Sequence, residues 1–146
     1  MKNEQSENGI NILAQSQFHH IGIAVPSVKQ AAFFYKEAGY TVSDEIIEPT
    51  QKVIVVSAKK ANEPTIELLE PLNDESPVVN ILKRSGGGVP YHICYAVKDI
   101  NYAVDELRKK RFIPLGKPVP GKGVDNALTV FLYNKIIGLI QLVEMA

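Results

Sequence analysis

Apolar positions along the chain follow two periods, and the change from one to the other recurs at matching points in each half. Residues 20–25, HIGIAV, are a short β-branched and apolar run that predicts a strand, and Pro26 stops it. From there the period becomes helical: Val28, Ala31, Ala32, Tyr35 and Ala38 share one face, Ser27 and Gln30 have the form of a capping box, and Gly39 ends the run. Residues 92–97, HICYAV, predict a second strand. Asp99 is its helix cap, and Ile100, Ala103, Val104 and Leu107 form the buried stripe.

These are two copies of one unit. Residues 20–40 align with 92–112 at a constant separation of 72, so that His20 falls on His92, Val25 on Val97 and Tyr40 on Phe112. The ends correspond too, IELLE at 66–70 with IQLVE at 140–144, at a separation of 74. Extended segments at 40–47, 52–58 and 65–70 in the first copy, and at 112–115, 127–133 and 137–144 in the second, make each half βαβββ. Ser76-Pro77 predicts the start of a connecting helix with Val78, Ile81 and Leu82, followed by a glycine linker at Gly86, Gly87 and Gly88. The expected architecture is α+β, one domain over 18–146 with modules at about 18–75 and 90–146, after a flexible polar segment 1–17.

Strand parity then turns the repeat into a site. His20, Gly22 and Ala24 share one face while Ile21, Ile23 and Val25 share the other, which should meet the helix. His19 is expected to face away from His20, exposed or supporting a ligand rather than ligating itself. The same alternation groups His92 with Cys94 and Ala96, Glu67 with Leu69, and Gln141 with Val143. Packing the halves about a pseudo-twofold axis converges His20, Glu67, His92 and Gln141: two imidazole nitrogens, one carboxylate and one amide oxygen. That donor set suits a divalent ion, with zinc, nickel, cobalt, manganese and iron all compatible. The same residues would otherwise be polar strand positions, the histidines satisfied by carbonyls and Glu67 at the surface.

Composition narrows the partners. Lys plus Arg equals Asp plus Glu at 16 each, and no arginine-rich run or basic-aromatic patch occurs, so nucleic acid is not an expected partner. No segment stays apolar for about 18 residues, so no membrane is expected either. Residues 1–17 are polar where a signal peptide needs an apolar stretch, so the expected location is the cytoplasm. The one cysteine, Cys94, lies in an apolar strand and reads as a small buried side chain rather than a nucleophile.

HHIGIAV, FFYKEAGY, IELLEPLNDESPV, HICYAVKDI and LIQLVE, in that order, resemble the vicinal oxygen chelate (glyoxalase/bleomycin resistance/dioxygenase) superfamily, and within it the methylmalonyl-CoA epimerase and glyoxalase I branch. The resemblance implies paired modules around an open, cup-like mixed sheet with helices outside. It places metal ligands at His20, Glu67, His92 and Gln141, and it implies a small-molecule or acyl-thioester substrate and a homodimer. In the epimerases the last ligand is usually a glutamate that also takes part in proton transfer, and a second proton-transfer glutamate would align near Thr50. Here an amide that cannot abstract a proton stands at Gln141. Glu48, two positions before Thr50, is the candidate substitute base beside Glu67, with a solvated loop carboxylate as its other reading.

The activity implied is that of an isomerase or lyase, in which a Lewis acid stabilises an enediolate formed next to a carbonyl. A non-catalytic binding or sequestering protein is the alternative. His20, His92 and Glu67 also match the ligand set of a non-heme iron dioxygenase. In GKPVPGKG, Lys117 and Lys122 with Gly121 and Gly123 offer a phosphate handle by family comparison; a proline-rich surface turn is the local reading.

Overall fold

In the computed structural model, which describes residues 11–146, the two copies meet along one antiparallel strand pair. The first copy contains β1 (Gln17–Ala24), α1 (Val28–Glu37), β2 (Thr41–Val42), β3 (Ile46–Glu48), β4 (Val53–Lys59) and β5 (Thr65–Pro71). Helix α2 (Pro77–Ser85) leads to the second, with β6 (Val89–Val97), α3 (Ile100–Lys109), β7 (Ile113–Pro114), β8 (Val119–Gly121), β9 (Ala127–Asn134) and β10 (Gly138–Glu144). All strands join one open mixed sheet in the order β2-β4-β5-β1-β6-β10-β9-β7, with β3 on β4 and β8 on β9. Outward from the β1–β6 seam, each side first meets its parallel partner, β5 or β10, and then an antiparallel one, β4 or β9. The predicted pseudo-twofold axis therefore runs through the seam.

Both repeat helices begin as the sequence predicts. The Ser27 side chain accepts from Gln30 N, and the Asp99 side chain accepts from Tyr102 N. A carboxylate from a distant strand reinforces each start. Glu70 accepts from Val28 N at 2.9 Å and Glu144 from Ile100 N at 3.0 Å, so the final acid of IELLE and that of IQLVE each neutralise a helix N-terminus. The helices leave through a left-handed residue, Gly39 (φ 95°) in one copy and Arg111 (φ 72°) in the other.

Helix α1 packs on one face of the first module through Val28 and Ala32 against Val56, Ala58, Ile66 and Leu68, with Ile21 and Ile23 flanking them. Helix α3 does the same in the second through Ile100, Ala103, Val104 and Leu107 against Val130, Leu132, Ile140 and Leu142. Helix α2 lies on the opposite face of the first module. Its Val78 meets Ala24, Val53, Val55 and Leu69, which closes one end of the concave side.

Three local expectations change. Residues 40–47 divide into β2 and β3, so the first copy carries one more short strand than predicted. GKPVPGKG is not a turn alone: Val119–Gly121 pairs with β9 before a 3-10 turn at Lys122–Val124. Pro118 and Pro120 mask that strand in the sequence, but an outer strand tolerates a missing N–H where it faces away from its neighbour. Of the polar segment 1–17, residues 1–10 lie outside the described residues. Ile12–Gln15 forms a 3-10 turn whose Ile12 and Leu13 pack against the second core, so this stretch is tied down.

Candidate metal centre

Two neighbouring rows of the sheet build the site. In one row Glu67 pairs with Gly22, and Gly22 with His92; in the next, His20 pairs with Cys94, and Cys94 with Gln141. Strands lie about 4.8 Å apart, so each outer pair is separated by the width of a strand. A small residue between them lets the outer side chains lean together. Gly22 and Cys94 are equivalent in the repeat, 72 positions apart. A methyl group on Gly22 would overlap the His92 imidazole, so the space beside His20 is filled by that ring.

His20, Glu67 and His92 converge, and Gln141 lines a small recess with Glu67. His20 Nε2 lies 3.2 Å from His92 Nε2 and 3.4 Å from Glu67 Oε1, and one ligand atom from each of the three lies within 4.8 Å of the others. Donors about 2.1 Å from a shared ion stand about 3.0–3.4 Å from one another in octahedral or tetrahedral arrangements, so the two contacts at His20 fit a cation. Glu67 is 7% exposed, which excludes the surface position. Gln141 is 3% exposed, and its Oε1 is a buried acceptor with no hydrogen-bond partner among the described residues. An unpaired buried acceptor costs about 1–3 kcal/mol, which coordination would offset.

Electrostatics favour the neutral, lone-pair-bearing forms of His92 and His19. Burial, reinforced by His20, holds His92 down at about 3, against a smaller opposing effect from the Gln141 side chain. Burial and then His20 lower His19 as well. Burial and the Glu67 charge push the Cys94 thiol up, which agrees with a space-filling role. The same two causes, in the same order, raise the Tyr91 phenol.

Residues 19–130 match the Glyoxalase/Bleomycin resistance protein/Dioxygenase superfamily. The chain belongs to this superfamily. It is 37% identical over 130 residues to the human mitochondrial methylmalonyl-CoA epimerase, covering 88% of this chain and 72% of that protein. It is 35% identical over 120 residues to the ethylmalonyl-CoA/methylmalonyl-CoA epimerase of Cereibacter sphaeroides, covering 82% and 89%. A variant of the Streptomyces coelicolor methylmalonyl-CoA epimerase, solved with 2-nitronate-propionyl-CoA, superposes with a TM-score of 0.76 at 25% identity, covering 90% of this chain and 98% of that one. Membership, these relatives and the His20, Glu67 and His92 cluster make the chain a metal-dependent isomerase or lyase of the superfamily.

The remaining candidate of this superfamily member, Glu48, is no solvated loop carboxylate. It is 2% exposed, and its oxygens accept N–H bonds from Thr50 at 2.8 Å and Lys122 at 2.6 Å. Each oxygen keeps a second lone pair. Glu48, Gln51 and Thr129 line both a largely apolar cavity of about 420 Å³ and the small recess reached by Glu67 and Gln141. Lys117 stands at the wall of the larger cavity, while Lys122 contributes its backbone N–H to Glu48.

Among the cavity residues that the sequence did not single out, Tyr91 and Phe131 flank a candidate ligand. Both rings stand edge-on to His92, with centroids 4.6 and 5.1 Å from it. Phe131 had a signal, since it pairs directly with Gln141 across β9 and β10. Tyr91 had none, and strict alternation sends His19 to the other face. The β1–β6 register shifts at each, leaving it as the extra residue of a bulge, and a bulge re-aims a side chain that strict alternation would send elsewhere. His19 consequently lies against His20, with Nδ1 atoms 2.8 Å apart, instead of facing away. No described helix is long and apolar enough to cross a membrane.

Proposed function

We propose that the protein is a divalent-metal-dependent epimerase of short 2-carboxyacyl thioesters, with His20, Glu67, His92 and Gln141 as the metal ligands. The observation that carries this reading is a compact two-histidine, one-carboxylate cluster adjoining a cavity whose one buried carboxylate is Glu48. The names of the human and Cereibacter sphaeroides relatives support the substrate class, as does the acyl-CoA ligand in the Streptomyces coelicolor structure.

A divalent cation at this position supplies Lewis acidity that makes a C–H bond beside a carbonyl easier to ionise. Glu48 is the base in this reading: it is shielded from bulk water, held by two N–H groups and left with free lone pairs facing the shared recess. Gln141 presents a neutral amide oxygen that is not basic enough to take up the substrate proton. Glu67 is the second carboxylate lining the recess: in this reading its oxygen away from the metal starts protonated and gives that proton to the opposite face of the carbon, while Glu48 keeps the one it removes. The apolar walls around Val53, Val78 and Phe131 exclude water from the acyl chain, and Lys117 offers charge for a phosphate at the wall.

The test combines metal analysis of the purified protein with deuterium exchange at the α-carbon of methylmalonyl-CoA and a hemithioacetal product assay. Metal-dependent exchange that disappears in Glu48→Gln is expected, together with lowered metal occupancy in His20→Ala and His92→Ala. A stoichiometric metal without exchange would move the protein to a binding role. Turnover of the hemithioacetal alone would move it to the glyoxalase reaction.

A further inference from the structure

The duplication repeats its irregularities as well as its strands. Pairing of β1 with β6 skips His19 on one strand and Tyr91 on the other, positions 72 apart, so a bulged aromatic residue precedes each candidate ligand histidine. Both lie edge-on to that histidine, His19 at 74° to His20 and Tyr91 at 84° to His92. Only the first pair is joined by ring nitrogens: His92 Nδ1 has no hydrogen-bond partner among the described residues, whereas His20 Nδ1 lies 2.8 Å from His19 Nδ1.

We infer that His19 is a positioning residue whose Nδ1 accepts the Nδ1 proton of His20, so that His20 turns a bare Nε2 lone pair towards His92 and Glu67. The inference rests on the reading of His20 as a metal ligand. Two neutral imidazoles at this separation have two arrangements. If His19 donates, the His20 proton must sit on Nε2, where it points at Glu67 Oε1 and His92 Nε2, 3.4 and 3.2 Å away, and blocks ligation through that atom. If His20 donates, Nε2 is free. A ligating imidazole ordinarily gives its other N–H to a carboxylate, a carbonyl or water. In this chain a half-buried histidine, re-aimed by a bulge, takes that place. Metal loading thus selects one of two proton arrangements within a pair of rings, and it does so without changing the charge of the pair.

Nitrogen-15 NMR of the full chain reads this directly. In metal-free protein a through-hydrogen-bond coupling between the two Nδ1 atoms is expected, and in zinc-loaded protein the His20 proton is expected on Nδ1. His19→Phe keeps a ring but removes the acceptor, and should weaken zinc binding about 10- to 100-fold. His19→Asn places a carbonyl oxygen where Nδ1 stood, and should restore most of that affinity. Unchanged zinc affinity in His19→Phe would overturn the inference, as would a His20 proton on Nε2 in the loaded protein. So would a second zinc equivalent requiring His19 and Cys94, which also lie within 4.8 Å of His20. If the parent takes up no zinc, nickel, cobalt, manganese or iron, the ligand reading itself fails; the metal-free coupling then decides whether the two rings share a proton.

Discussion

Gly22 and Cys94 show how much of the site depends on what is missing from a side chain. Each lies midway along a row whose outer members must lean together across it, and at Gly22 the neighbouring imidazole takes up the space of a β-carbon. Gly22→Ala should displace His92, costing about 1–3 kcal/mol of stability as an overpacked position and most of the metal uptake. Metal analysis alongside thermal denaturation checks this; full occupancy would show that His92 is not a ligand in its present position. His92 also sets an acid limit. Its folded value of about 3 lies below the ordinary 6.5, so protons go first to the unfolded chain. The stability from burying neutral His92 is complete above pH 6.5 and is lost as the pH falls from there towards 3. Metal-free protein should therefore show a midpoint temperature that drops across this window, with a shallower drop in His92→Gln.

Among the elements, α1 and α3 depend on residues distant in sequence. The N-cap signals at Ser27 and Asp99 were legible, but the carboxylates of Glu70 and Glu144 reach the same helix starts from the ends of β5 and β10. A carboxylate at a helix N-terminus gives about 0.3–1 kcal/mol, to which the lost hydrogen bond adds. Glu144→Ala should lower stability by about 1 kcal/mol, a midpoint shift of about 2–4 °C for a chain approaching 150 residues. Glu70→Ala should do the same, with nearly additive effects in the double variant, because the two acids share no partner. Calorimetry of the three variants decides this. Strong coupling between them would mean that the modules transmit strain across the seam.

At the scale of the whole molecule, Glu48 holds the halves together at the cavity. Its carboxylate ends β3 of the first module and accepts Lys122 N–H from the second, so the candidate base also crosses between the repeats. Glu48→Ala leaves a Lys122 N–H without its acceptor and should cost about 1–3 kcal/mol, while Glu48→Gln keeps a carbonyl oxygen for it and should cost less. Denaturant midpoints separate the two, whereas proton exchange at the substrate carbon should vanish in both. Equal midpoints for both variants and the parent would remove the bridging role while leaving the chemistry to be decided by exchange.

The sequence by itself determined the duplication, the helix faces and the strand positions of His20, Glu67, His92 and Gln141, because each follows from a local period that recurs in both halves, 72 residues apart at the histidines and 74 at the closing strands. Burial of Glu48 was beyond its reach, since that depends on an N–H 74 residues away. The strand inside GKPVPGKG was hidden because pairing with β9, not propensity, creates it. The places of His19 and Tyr91 were decided only when β1 met β6. A bulge is a property of two strands in register, so no periodicity within one strand could reveal it. One strand pair thus brings the duplicated halves together and sets the surroundings of each histidine.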